Sequence, residues 1–267
     1  TVKRQSGFLK PKLGSSGSLG DSIYTPYFHV ISDRKDLTIK PRLFTDKFVL
    51  QSEYRQKTKY SSTLTDFSFT KGHDSYLGDN NDSRMHFFTN TMVDLNLDKY
   101  LKSTLEINYE RTSNDNYLKV FNLESPLLHN GIDVLESIIS LDLENQDYDL
   151  TASFQMYEAL KGPKSDRYTY VLPSFNFSKN FDIETFDGSF NFNGSGSNTL
   201  ASTNVVTSNF TNDLNYTSDS NFLKNGIRTG YEVALRNINS LGKNHPTFKS
   251  SPQSELMSIY AYNTSLP

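Results

Sequence analysis

The chain has 267 residues, a formal net charge of −3, 35% hydrophobic residues and no cysteine. It contains no apolar run of the roughly 18 residues that a spanning helix needs, which excludes a helical membrane protein. The missing thiols exclude a disulfide framework and a thiolate zinc site, and the near-neutral charge gives no reason to expect a nucleic-acid partner.

Taken in chain order, the sequence divides into segments of about ten residues in which apolar and polar side chains alternate, the period of a two-faced strand. Strands are predicted over 6–14, 19–31, 37–44, 48–55, 62–70, 84–95, 101–111, 135–144, 148–158, 167–178 and 182–193, with three weaker ones near 203–216, 227–238 and 253–262. The clearest is 101–111. Leu101, Leu105, Ile107 and Tyr109 point one way, and Lys102, Thr104, Glu106, Asn108 and Glu110 point the other. Ten such residues rise roughly 33 Å, enough to cross a bilayer when tilted. Because only every second residue must be apolar, modest overall hydrophobicity suits this design, and the 16 Tyr and 19 Phe suit both strands and interfacial aromatic girdles.

The connections carry separate information. From the fifth segment onward, long loops are expected after odd strands, at 71–83, 112–134, 159–166, 194–202 and 239–252. Short turns are expected after even ones, at 96–100, 145–147 and 179–181, while 217–226 is less tidy. Long loops at one rim and short turns at the other are the habit of outer-membrane barrels, with the long loops extracellular and the turns periplasmic. The stretch 124–137 reads as either a short helix within a long loop or a loop that folds back. The polar run 194–204 is low in complexity and is expected to be mobile. The expected fold is all-β, an antiparallel transmembrane β-barrel segment of about 12–14 strands, partial and not closed on its own. The chain starts at Thr1 and ends at Pro267 directly after strand-like residues, so it reads as a segment cut from a longer protein.

Catalytic and metal motifs are weak. The five His residues, at 29, 73, 86, 129 and 245, have no metal-binding spacing. Ser32-Asp33-Arg34-Lys35 fits S-x-x-K but lies in a predicted turn. The oxygen-rich groups Asp79-Asn80-Asn81-Asp82 and Asp142, Glu144, Asp147, Asp149 read as a loop tip and a solvated rim. No Ser/His pair on neighbouring strands stands out. No cofactor, metal or enzymatic activity is expected.

Two prolines stand within strands, in Ser6-Gly7-Phe8-Leu9-Lys10-Pro11 and in Tyr24-Thr25-Pro26-Tyr27-Phe28. Proline lacks an N–H and is confined to edges and bulges of a sheet. The run SGFLKPKLG, followed by LGDSIYTPYFHVISDRKDLTIKPRLFTDKFVLQSEYR, resembles the opening of the barrel in the lipopolysaccharide-assembly family LptD (organic solvent tolerance proteins). Asp36-Leu37-Thr38-Ile39-Lys40-Pro41 is similar to that family's D-x-T-x-x-P element. The stretch Tyr109 to Leu118 resembles its strand end and loop, and the stretch 231–244 is similar more loosely. His29 stands where the family usually has Trp.

The resemblance implies that residues 1–267 are the first half of a larger barrel, with a periplasmic jellyroll domain and the closing strands lying outside them. It implies a translocon in the outer membrane of a Gram-negative bacterium, inserting lipopolysaccharide into the outer leaflet. Its partners would be a plug lipoprotein of the LptE type and the periplasmic Lpt bridge proteins that deliver the glycolipid. Pro11 and Pro26 would form a lateral gate beside the first strand. Gly14, Gly17 and Gly20 read as the tight turn joining the first two strands and would keep that gate supple. Alternation places Gly7, Leu9, Pro11 and Leu13 on one face and Lys10 and Lys12 on the luminal one, where they could contact lipid A phosphates. The alternative is a passive porin.

Overall fold

A computed structural model describes residues 4–16, 19–45, 47–73, 82–128, 131–163, 165–182, 187–223 and 226–265. All fourteen expected strands are present, joined into an all-β antiparallel meander. The first segment is split into β1 (Gly7–Phe8) and β2 (Lys12–Ser16), and the second into β3 (Gly20–Tyr24) and β4 (Tyr27–Ser32). Then follow β5 (Lys35–Phe44), β6 (Phe48–Lys57), β7 (Ser61–His73), β8 (Asp82–Asp94) and β9 (Lys102–Thr112). One helical turn, α1 (Tyr117–Val120), precedes β10 (Val134–Glu144), β11 (Tyr148–Ala159), β12 (Tyr168–Asp182), β13 (Gly188–Ala201) and β14 (Val205–Ser218). The two-residue β15 (Asn221–Phe222) leads to β16 (Arg228–Lys243) and β17 (Gln253–Ser265). The chain forms two compact units, the first made of 1–95, 105–139 and 157–167, the second of 96–104, 140–156 and 168–267.

In the first unit the first segment pairs with the second, β1 with β4 and β2 with β3, and β5 pairs with both halves of the second segment: Ser22–Tyr24 against Arg42–Phe44, and Tyr27–Ser32 against Lys35–Ile39. The register fixes which side chains share a face. One row runs Leu50–Phe69–Met85 and another Ser52–Phe67–Phe87. The opposite face carries Gln51–Ser68–His86 and Glu53–Asp66–Phe88. The exposures are inverted relative to a water-soluble protein. Leu50, Phe67, Phe69, Met85, Phe87, Ile107 and Tyr109 are exposed, while Gln51, Asp66, Ser68, His86, Asn108 and Glu110 are buried. The polar face lies inside and the apolar face outside, as the alternation of 101–111 anticipates.

The core of this unit sits on that inner face. The loop between β9 and β10 folds back over it, which decides the alternative left open for 124–137: among the described residues 124–128 and 131–133 are loop, 134–137 belong to β10, and the helical turn α1 lies earlier. Tyr117, Leu118, Phe121, Leu123 and Leu127 from this loop pack with Val49, Phe88, Leu135 and Leu160. These apolar residues punctuate an otherwise polar inner face, so the loop's side chains find their burial there.

In the second unit, β12, β13, β14, β16 and β17 form an unbroken antiparallel series with twelve or more paired residues at each junction. One face is aromatic. Phe177 packs on Tyr148 and Phe192, Phe175 on Phe210, and Tyr216 on Phe190 and Tyr231. Here three expectations are corrected. The run 194–204 is not a mobile loop. Gly194 to Ala201 are all paired with β14 and, apart from Asn198 at a register shift, with β12, and only 202–204 turn. Polar composition misled because Asn191, Asn193, Ser195 and Ser197 occupy the face opposite Phe190 and Phe192, and ladders on both sides hold the backbone. Residues 179–181, expected as a turn, belong to β12, and the loop expected from 239 begins only after Lys243.

Candidate functional site

The first hairpin is where the strand pattern breaks, and the prolines explain where. Residues 9–11 separate β1 from β2, and residues 25–26 separate β3 from β4. The flanking registers are Phe8 with Tyr27 and Lys12 with Tyr24, so three residues of one segment face two of the other, a bulge. Leu9 N–H donates to the Pro26 carbonyl at 2.8 Å. An antiparallel pair of this kind normally exchanges two bonds, and Pro26 has no N–H to return. The next junction repeats the defect, since Thr25 N–H donates to the Pro41 carbonyl at 3.3 Å and Pro41 returns nothing. Pro41 was visible in the sequence within D-x-T-x-x-P, but only the register shows it level with the break.

The bulge also changes the faces. Leu13, Ile23 and Leu43 form an exposed apolar row, and Lys12, Tyr24 and Arg42 form the row behind it. Lys12 thus lies on the inner face as expected. Gly7 does not share a face with Leu13: it is opposite Phe28, whose ring receives Arg4 and Arg55 from the inner side. The extra residue in 9–11 slips the alternation by one. Lys10 lies exposed within the break. Gly14 is not in the turn but in the ladder opposite Ser22. Gly20 opens β3 at φ +72° with a Cβ position 2.6 Å from Thr45 Oγ1, and Gly17 lies outside the described residues.

Lys12 faces a cavity of about 630 Å3 between the first hairpin and the folded-back loop, lined also by Lys40, Arg42, Gln51, Glu53 and Phe121. Lys40 is paired with Glu53 at 2.7 Å. Arg42 donates to the carbonyls of Phe121 at 2.5 Å and Asn122 at 3.1 Å and lies over the Tyr24 ring. Arg42 therefore ties the folded-back loop to the strand that carries Pro41.

A second tie lies deeper. Ser68 Oγ is 2.6 Å from His86 Nδ1 and 2.7 Å from the Tyr117 hydroxyl, and Gln51 donates to both Asp66 oxygens and to the Glu124 carbonyl at 3.0 Å. Ser68 and His86 are directly opposed on neighbouring strands, the Ser/His pairing that sequence reading did not pick out. A serine–histidine match at facing positions is findable only once the register is known. The group is not built for catalysis. Ser68 and His86 are 1% exposed and Asp66 is 0%, and Tyr117 caps the hydroxyl. His86 Nε2 stands 3.5 Å from Asp66, too long for a good hydrogen bond. Burial pushes the Tyr117 phenol up to about 12, against a downward pull from the Ser68 hydrogen bond, with a lesser upward push from Asp66. At the loop's far end Asp133 holds Lys119 and, at 2.8 Å, Lys161. Those two ammonium groups keep its carboxyl below the usual carboxylate range. Arg167 joins Glu158 and Asp115 at 2.7 Å each.

No protein-family model matches the chain. Its sequence is similar to LPS-assembly protein LptD of Pseudoalteromonas atlantica, 27% identical over 200 residues that make up 71% of this chain and 25% of that protein. It is similar to LptD of Pseudomonas aeruginosa at 29% identity over 44% of the chain and 13% of that protein. It is also similar to LptD of Pseudomonas savastanoi at 34% identity over 31% of the chain and 8% of that protein. The chain thus spans about a quarter of the length of the first of these relatives. The resemblance carried by the opening strands holds over most of the sequence. A wall with a polar inner face and an apolar outer one, in a chain similar to these proteins, has the construction of a piece of an outer-membrane β-barrel.

Proposed function

We propose that the chain is the first half of the barrel of a lipopolysaccharide translocon, and that its opening hairpin is the flexible side of a lateral gate into the outer leaflet. The observation that carries this reading is the row of one-sided pairings at Leu9–Pro26 and Thr25–Pro41, level with Pro11 in the break between β1 and β2. Each missing bond removes about 1 kcal/mol of net pairing in water and more where lipid replaces water. A bulky glycolipid leaving sideways needs a wall that parts at one place, and the under-bonded hairpin supplies it. Lys10 and Lys12 beside the break would meet lipid A phosphates. The jellyroll domain, the closing strands, the LptE-type plug and the Lpt bridge proteins complete this reading from outside the chain.

A passive porin would share the strands but has no use for a gap repeated across two junctions. It would also need an open bore where the 113–133 loop packs on the inner face. The test restores the donors. In the protein that carries this chain, Pro26→Ala combined with Pro41→Ala should tighten the hairpin and slow the appearance of lipopolysaccharide at the cell surface. Outer-membrane permeability to large antibiotics should rise as delivery fails. Normal delivery at normal protein levels would remove the gate from these residues.

A further inference from the structure

A second cavity of the first unit, about 670 Å3, lies between the two-residue turn at Asp33–Arg34 and the turn at Thr58–Tyr60. In the meander these turns lie on the same rim as the short turn at 96–100, Asp94 N–H donating to the Tyr60 carbonyl at 2.7 Å, so in the translocon reading, on which this inference rests, the cavity is at the periplasmic mouth. Its charge is lopsided. Arg4, Arg34, Arg55, Lys57 and Lys59 line it against Asp33 and Asp36 alone, five cations and two carboxylates.

The cations fall into two sets. Asp36, 3% exposed, holds Arg4 on one side and Arg55 on the other at 2.8 Å, and both guanidinium groups lie over the Phe28 ring. Arg55 also reaches Glu53 at 3.4 Å, so both cations of this half are committed to carboxylates. Arg34, Lys57 and Lys59 have no carboxylate partner among the described residues. The two turns that carry them are tied together by Lys57 N–H donating to the Arg34 carbonyl at 2.9 Å. Lys59 is propped on the Tyr60 ring at 4.6 Å. Three uncommitted cations on two joined turns, next to a floor whose own cations are paired, repel one another and stay hydrated until an anion with several acceptor oxygens arrives.

We propose that this cavity is the entry site for the phosphate-bearing end of the glycolipid, with Arg34, Lys57 and Lys59 as its ligands. A phosphate suits it better than an acidic protein surface, because the three cations line one recess between two tight turns. The site lies at the opposite end of the inner wall from Lys12, so it would engage the substrate before the gate does.

The test uses the purified protein that carries this chain, in detergent, with two probes: lipopolysaccharide, and the same material with its lipid A phosphates removed enzymatically. The wild-type protein should bind the phosphorylated form about tenfold more tightly, the worth of one or two charge-assisted hydrogen bonds. The triple variant Arg34→Gln, Lys57→Gln, Lys59→Gln should lose that preference while binding the dephosphorylated form as before. The variant Arg34→Lys, Lys57→Arg, Lys59→Arg should keep the preference, which guards against a folding defect. Retained preference in the Gln variant, or equal weakening toward both probes, would overturn the site and leave the translocon reading standing. Wild-type protein that binds neither form would overturn both. A photo-crosslinker at position 59 in cells should capture glycolipid, and capture of an acidic protein there would overturn the proposal.

Discussion

The buried phenol of Tyr117 makes the packing of the inner loop measurable. Its side chain is 0% exposed, its ring centroid lies 5.4 Å from Phe121 and 6.3 Å from His86, and its hydroxyl meets Ser68 at 2.7 Å. Tyr117→Ala should cost about 3–5 kcal/mol for the lost aromatic packing and the cavity left behind, plus about 1 kcal/mol for the hydrogen bond. Tyr117→Phe should cost only about 1 kcal/mol, because Ser68 keeps His86 as a partner. The loop opens locally without unfolding the strands, so these energies act on its open-to-closed ratio, at about tenfold per 1.4 kcal/mol. Hydrogen–deuterium exchange in the carrying protein reads this directly. The Val120 amide, bonded to Asn116 at 2.8 Å, and the Leu123 amide, bonded to Leu118 at 2.9 Å, should exchange about a thousandfold to ten-thousandfold faster in Tyr117→Ala and about fivefold faster in Tyr117→Phe. Equal exchange in the wild type and Tyr117→Ala would show that the loop is not held by this core.

Alkaline pH should loosen the same loop. The Tyr117 pKa is raised from 10.0 to about 12, so its contribution is complete below pH 10, declines between about 10 and 12 and is gone above, for a total of about 3 kcal/mol. Exchange of the loop amides should accelerate over that window in the wild type and show no such step in Tyr117→Phe. On the outer face, Phe69→Arg should cost about 2–4 kcal/mol if that side chain meets lipid near mid-bilayer. The folded fraction by heat-modifiable electrophoretic mobility checks this, and an unchanged fraction would contradict the lipid-facing assignment. Gly188→Ala would place a Cβ 2.3 Å from the Thr217 carbonyl oxygen and 2.8 Å from Ser218 Cα. The turn into β13 should lose about 1–3 kcal/mol of stability, readable as a lower midpoint in urea.

The sequence alone determined the strands and their two faces, because a period of two is a local property that each ten-residue segment carries by itself. It located Pro11 and Pro26, whose missing donors are covalent facts. It could not decide pairing between segments. Only the register sets Pro41 beside Thr25, Ser68 opposite His86, and Arg42 under the carbonyls of a loop some eighty residues away. Composition was a poor guide at 194–201, where ladder bonds from both neighbours hold a stretch that is polar on one face and glycine-rich on the other. The slip of face within residues 9–11 was likewise invisible, since an extra residue in one strand has meaning only against the strand it faces. The inward fold of the 113–133 loop follows from the same limit: its apolar side chains were legible, but the few apolar positions on the inner wall that receive them are brought together only by the assembled sheet.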